Sequence, residues 1–139
     1  MIYKFTVYCA LIALSVAINL PVTREQITIT DAKMFYELVG TSEKTWMVNF
    51  YKRTCPHCKK IDPIWLDFIS QQAERKDIEF AKFDCIDKPM FCEQFPLHHC
   101  PDVLVFKGNT DPVKSQSTIV ECDYVKDWTL EDLNACLPA

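Results

Sequence analysis

The stretch from Trp46 to Glu74 constrains this chain more than any other. Trp46 to Tyr51 is an apolar run broken only by Asn49 and bounded by polar residues, the pattern of a strand buried on both faces. Cys55-Pro56-His57-Cys58 follows at once. Beyond it Ile61, Ile64, Trp65, Phe68 and Ile69 recur at three- and four-residue spacing, which predicts a helix from Cys58 to Glu74. Pro63 lies inside that helix and is expected to kink it. A buried strand thus delivers two cysteines, two residues apart, to the head of an amphipathic helix.

The flanking segments continue the alternation. Ile27 to Thr30 reads as a short β-branched strand. Asp31 is a suitable cap for a helix over Ala32 to Val39, with Gly40 at its end. Ile78 to Phe83 alternates around Glu79 and Lys82, Lys88 to Phe95 reads as a short helix, and Val103 to Phe106 as a strand entered through Cys100-Pro101. Ser117 to Cys122 is a weaker strand. Thr129 to Leu137 is a last helix, with Thr129 and Asp132 as a capping-box-like start. Strands and helices in turn give an α/β sheet. Phe50, Tyr51, Trp65, Phe68, Phe80 and Phe106 fall on element faces that should form the core.

The N-terminus has the form of an export signal. Lys4 precedes an apolar run from Phe5 to Val16, and Ser15-Val16-Ala17 offers small residues for cleavage after Ala17. The run is shorter than the roughly 20 residues of a spanning helix. Residues 1–17 are therefore expected to be a cleaved signal peptide and 18–139 a single domain without a membrane segment. The whole chain of 139 residues has a formal net charge of −4, and losing Lys4 makes it one unit more negative. A nucleic-acid binder would show a basic face, so that class of partner is not expected. Of the eight cysteines, Cys9 lies in the signal. Cys55, Cys58, Cys85, Cys92, Cys100, Cys122 and Cys136 remain, an odd set in a compartment that permits disulfides.

The tetrad carries the chemistry. Cys55 would stand at the helix N-terminus, where main-chain N–H groups and the helix dipole favour a thiolate. Cys58, one turn further in, would be the resolving thiol. Pro56 suits the first helical position, and an imidazolium at His57 would further favour the thiolate. A stabilised thiolate makes the corresponding disulfide more oxidising, so the pair is expected to lean towards donating disulfides. A structural disulfide or part of a zinc site are the alternatives. Zinc would need two further ligands, for which His98, His99 and Cys100 are available in sequence; an exposed loop is the plainer reading of the two histidines.

Several motifs in one order resemble a thioredoxin-fold domain of the protein disulfide isomerase type. They are Val48-Asn49-Phe50-Tyr51, Cys55-Pro56-His57-Cys58-Lys59-Lys60, Pro63 and Trp65, Phe80-Ala81-Lys82-Phe83-Asp84-Cys85, and Cys92 with Phe95. Cys100-Pro101 before Val103-Leu104-Val105-Phe106-Lys107-Gly108 follows, then Tyr124 and Thr129-Leu130-Glu131-Asp132-Leu133. The resemblance runs from about Ile27 to Leu137. It implies a mixed central sheet with helices on both sides and a cis Cys100–Pro101 bond facing a redox-active Cys55–Cys58 disulfide. It places Cys100 and Pro101 in contact with substrate backbone. It also implies a structural disulfide between Cys85 and Cys92. Cys100, Cys122 and Cys136 then remain outside the tetrad; a Cys122–Cys136 pair would tie the last helix to the last strand, and the sequence leaves open whether they pair.

The resemblance further implies a thiol–disulfide oxidoreductase that needs no organic cofactor and no metal. Its partners would be unfolded or folding client proteins with cysteines, and a redox partner, either an oxidase or a thiol. Its place would be the secretory pathway, in the endoplasmic reticulum lumen or secreted; Asn134 to Ala139 holds no Lys-Asp-Glu-Leu-type retrieval signal. Four departures bear on mechanism. Thr54 replaces a usual Trp. Asn49 stands where a buried acid commonly serves proton transfer, which leaves Lys82, that acid's usual partner, without its ion pair. The Pro-His interior is similar to that of bacterial periplasmic disulfide oxidases. Cys100 puts a third thiol before the proline, where it could attack a mixed disulfide or bind metal with the tetrad; a small residue packed under the site is the favoured reading. Asn49 and Thr54 keep open a chaperone or adaptor module with weak redox chemistry, and the tetrad with Cys100 a metal site.

Overall fold

The computed structural model describes residues 23–108, 119–122 and 127–139. The expected signal peptide and Tyr124 lie outside them. The elements are β1 (Ile27–Ile29), α1 (Ala32–Phe35), β2 (Thr45–Tyr51), α2 (Pro56–Gln71), β3 (Ile78–Asp84), α3 (Pro89–Cys92), β4 (Asp102–Phe106), β5 (Ile119–Glu121) and α4 (Leu130–Cys136). The strands form one mixed sheet in the order β1-β3-β2-β4-β5. β3 pairs in parallel with β1 and β2, while β4 is antiparallel to β2 and β5. The expected α/β sheet with helices on both sides is what the chain forms.

β2 is central because its side chains serve two cores. Side chains alternate across a strand. Trp46, Val48 and Phe50 join Ala81, Phe83, Leu104 and Phe106 on the face covered by α1 and α3. Met47 joins Phe80, Val103 and Val105 on the face covered by α2 and α4. Asn49 and Tyr51 share Met47's parity, so they too belong to the α2 face. There Ile61, Trp65, Phe68 and Ile69 form the buried stripe of α2. On the other face Phe35 sits among the rings of Tyr36, Phe50, Phe83, Phe91, Phe95 and Phe106, with centroids 5.3 to 6.3 Å away.

Local chemistry sets the element ends. The Asp31 carboxylate accepts the Met34 N–H at 2.8 Å and starts α1. The helix expected over Ala32 to Val39 is a single α turn that widens into a π turn over Tyr36–Gly40. Gly40 ends it without the left-handed conformation of a usual helix-end glycine. The Thr41 hydroxyl donates to the Glu37 carbonyl at 2.6 Å, which satisfies one of the helix-end carbonyls without that turn. The capping box of α4 is complete: Thr129 Oγ1 accepts from the Asp132 N–H at 3.2 Å, and the Asp132 carboxylate from the Thr129 N–H at 2.8 Å. Tyr51, expected in the core, stands half-buried at the end of β2.

Candidate active site

The end of β2 and the start of α2 hold the tetrad. After Tyr51 the chain turns, the Cys55 N–H donating to the Lys52 carbonyl at 2.9 Å. Cys55 becomes the N-cap of α2 in extended conformation, and Pro56 takes the first helical turn, where its missing N–H removes no helical bond. Cys55 is half-buried and Cys58 is buried at 6% exposure. The two sulfurs are free thiols.

Their surroundings push the two thiols apart. Burial alone would raise Cys55. The N–H of Cys58, the Cys58 thiol, the N–H of His57 and the charge of Lys52 together outweigh it and bring Cys55 below the usual thiol range. The Cys55 side chain closes no capping hydrogen bond of ordinary geometry, so the helix N–H groups act on it as aligned dipoles. Cys58 is pushed up to about 12, first by burial, against the opposing Lys52 N–H, and further by Cys55 and Cys100. That N–H donates to the Cys58 sulfur at 3.4 Å.

The second strand entrance closes over the pair. The Cys100–Pro101 bond is cis, and the Cys55 thiol donates to the Cys100 carbonyl at 3.5 Å. Trp128 holds this loop from the start of α4 through an indole N–H that donates to the Pro101 carbonyl at 3.3 Å. Asp102, only 3% exposed, holds it from beneath by accepting the His98 N–H at 2.9 Å and the Val103 N–H at 3.0 Å. Burial raises Asp102 above the usual carboxylate range. Cys100 itself is half-buried, not packed away as expected from its type, and burial raises its thiol. It lines a cavity of about 370 Å³ with Phe95, Leu97, His98 and His99. A second cavity, about 290 Å³, lies between His57, Ile64, Pro101 and Trp128.

His57 acts on Cys55 through its main-chain N–H, while its ring Nδ1 lies 3.5 Å from the Asp127 carboxylate. Asn49 is 2% exposed, pairs across the sheet with Lys82, and its Oδ1 accepts no hydrogen bond among the described residues. The Lys82 ammonium lies 5.5 Å from the Tyr51 ring centroid. Cys85 and Cys92 are joined in a disulfide with a Cα separation of 5.9 Å. Cys122 and Cys136 are joined as well, tying the end of α4 to the end of β5. Among the described residues no three or more His, Cys, Asp or Glu side chains gather to hold a metal ion.

Three contributors escaped the sequence reading. Asp127 meets His57 from the far end of the chain. Arg53 bridges Asp84 at 2.8 Å and Asp87 at 2.9 Å, which ties the turn before the tetrad to the loop after β3. Asp62 stands four residues after Cys58, and that helical spacing could have singled it out. Among the described residues no helix is long and apolar enough to cross a membrane.

Comparison with known proteins agrees with this geometry. The family model described as Thioredoxin matches residues 26–129. The chain is 27% identical to protein disulfide-isomerase 5-1 of Arabidopsis thaliana over 109 residues, 72% of this chain and 74% of that protein. It is 30% identical to human DnaJ homolog subfamily C member 10 over 88 residues, 62% of this chain but 11% of that much longer protein. The first thioredoxin domain of mouse protein disulfide-isomerase A4 superposes with a TM-score of 0.59 at 23% identity, over 78% of this chain and 69% of that one, a likeness of fold. The chain belongs to the thioredoxin family, and its single thioredoxin-fold domain is similar to those of protein disulfide isomerases.

Proposed function

We propose that this protein is a thiol–disulfide oxidoreductase acting on cysteine-containing clients of the secretory pathway. The observation that carries the proposal is the split between its two thiols: Cys55 at a helix N-cap and lowered, Cys58 one turn below and pushed up to about 12. A low thiol is the nucleophile and the better leaving group, and a high one stays protonated until it must resolve. The relatives named above support the same reading.

The roles follow from placement. Cys55 attacks a client disulfide or is attacked in a mixed one. Cys58 resolves it. The carbonyl of Cys100 and the Pro101 loop border the reacting sulfur, where a client main chain can align. The lowered Cys55 favours the dithiol form, so the pair leans towards donating disulfides. The signal-like pattern of residues 1–17 and the two disulfides away from the tetrad support a secretory location.

The test is turnover. The purified protein oxidises a dithiol peptide, or reduces a model disulfide, faster than its Cys55→Ser variant. Equal rates would remove the enzyme reading. Client binding that survives in a Cys55→Ala/Cys58→Ala variant of such an inactive protein would favour a binding module.

A further inference from the structure

Resolution through Cys58 leaves a proton to be placed. Cys58 is buried and must ionise when it attacks the bond between Cys55 and the client. The Lys52 N–H at its sulfur is a donor and cannot take a proton. Asn49, on the same sheet face, carries a neutral amide that is no base at neutral pH.

A cavity of about 180 Å³ adjoins Cys58. Tyr51, Lys52 and Arg53 line it from the end of β2, Cys58, Lys59 and Asp62 from α2, and Lys82 from β3. Residues four apart on a helix stack on one face, about 5–6 Å between Cβ atoms, so Asp62 stands directly beyond Cys58. The lysines and the arginine are cationic donors. Burial, then Asp84 and Asp62, raise the Tyr51 phenol, which keeps its proton. Asp84 itself is engaged by Arg53. Among the described residues Asp62 is the one carboxylate in this lining. It is half-buried, so it reaches both the cavity and solvent, and the space admits water as a carrier.

We propose that Asp62 is the base that receives the Cys58 proton during resolution, across water in this cavity. The inference rests on the thiol–disulfide reading above. The Cys58 proton passes to the Asp62 carboxylate. The Cys58 thiolate attacks the Cys55 sulfur, the Cys55–Cys58 bond forms, and the Cys55–client bond breaks. The client leaves as a thiolate with the bond's electron pair and takes up a proton from water, while Asp62 returns its own to solvent. In reverse, protonated Asp62 supplies the proton to Cys58 as it leaves.

The experiment is stopped-flow reaction of the reduced protein with Ellman's reagent, the aromatic disulfide that releases a coloured thiol at each step. Cys55 attack gives the first phase. Cys58 resolution gives the second, identified by its loss in Cys58→Ser. Asp62→Asn is expected to keep the first phase within about twofold, which also reports an intact fold, and to slow the second at least about tenfold at pH 7. The lost rate returns as pH rises and hydroxide replaces the carboxylate. Asp62→Glu keeps the second phase within about threefold of the unmodified protein, since a carboxylate remains. A second phase in Asp62→Asn with unchanged rate and pH profile would overturn this inference alone. An unmodified protein with no second phase would remove the exchange reading and this inference with it.

Discussion

The sulfur of Cys55 lies 3.5 Å from the carbonyl oxygen of Cys100, which places the lowered thiol against the main chain that leads into β4. Cys58 lies behind it, away from that edge and pushed up to about 12. The two thiols should therefore differ in reactivity. With iodoacetamide at about pH 7, Cys55 is expected to be alkylated at least about tenfold faster than Cys58, because the thiolate is the reacting form. Mass mapping of partly modified protein checks this, and equal modification of both would contradict it. The Cys55 rate should hold as pH falls below the ordinary thiol value and drop only below its lowered one.

Phe35 is the hub of the core opposite α2. It is fully buried and meets six aromatic rings. Phe35→Ala is expected to destabilise the fold by about 3–5 kcal/mol, read as a shift of the urea midpoint. A loss below about 1 kcal/mol would show that the cluster collapses around the gap.

The Cys85–Cys92 bridge joins the end of β3 to α3, seven residues on. Closing so short a loop removes unfolded-state entropy worth about 2–3 kcal/mol. Cys85→Ala/Cys92→Ala should lose about that much stability while retaining the Cys55 alkylation rate, since the bridge joins elements outside the tetrad. A collapse of that rate would instead give the bridge a role in shaping the site.

Much of this arrangement is written locally. Trp46 to Tyr51 reads as a buried strand, and Ile61, Trp65 and Phe68 read as a helix stripe, because neighbours in sequence decide both. Thr129 and Asp132 form their capping box within four residues. The strand order is not local: β2 takes its central place through pairing with β3 and β4 together. Nor could periodicity foresee the π turn after Phe35. The Arg53 clamp spans 31 residues to Asp84, and Asp127 reaches His57 only once α4 is docked. Asp62 is the instructive omission, since its spacing from Cys58 was available without any tertiary contact.

Acid should act through Asp77. The Arg75 guanidinium holds its carboxylate down to about 2 through paired hydrogen bonds of 2.8 and 2.9 Å. The folded value lies below the unfolded one, so the contribution is fully present above the ordinary carboxylate range of about 3.9 and is lost as pH falls towards about 2. Both side chains reach solvent, and the effect is small. The Tm advantage over Asp77→Asn should shrink between about pH 5 and pH 2; a constant difference would contradict the linkage.

Covalent trapping tests the central claim most directly. Cys58→Ala, mixed with a peptide that carries one disulfide, should accumulate a mixed disulfide that mass mapping assigns to Cys55, and Cys55→Ala should accumulate none there or elsewhere. An adduct located on Cys100, or no adduct at all under conditions where the peptide disulfide exchanges with free thiol, would contradict the assignment of Cys55 as the nucleophile.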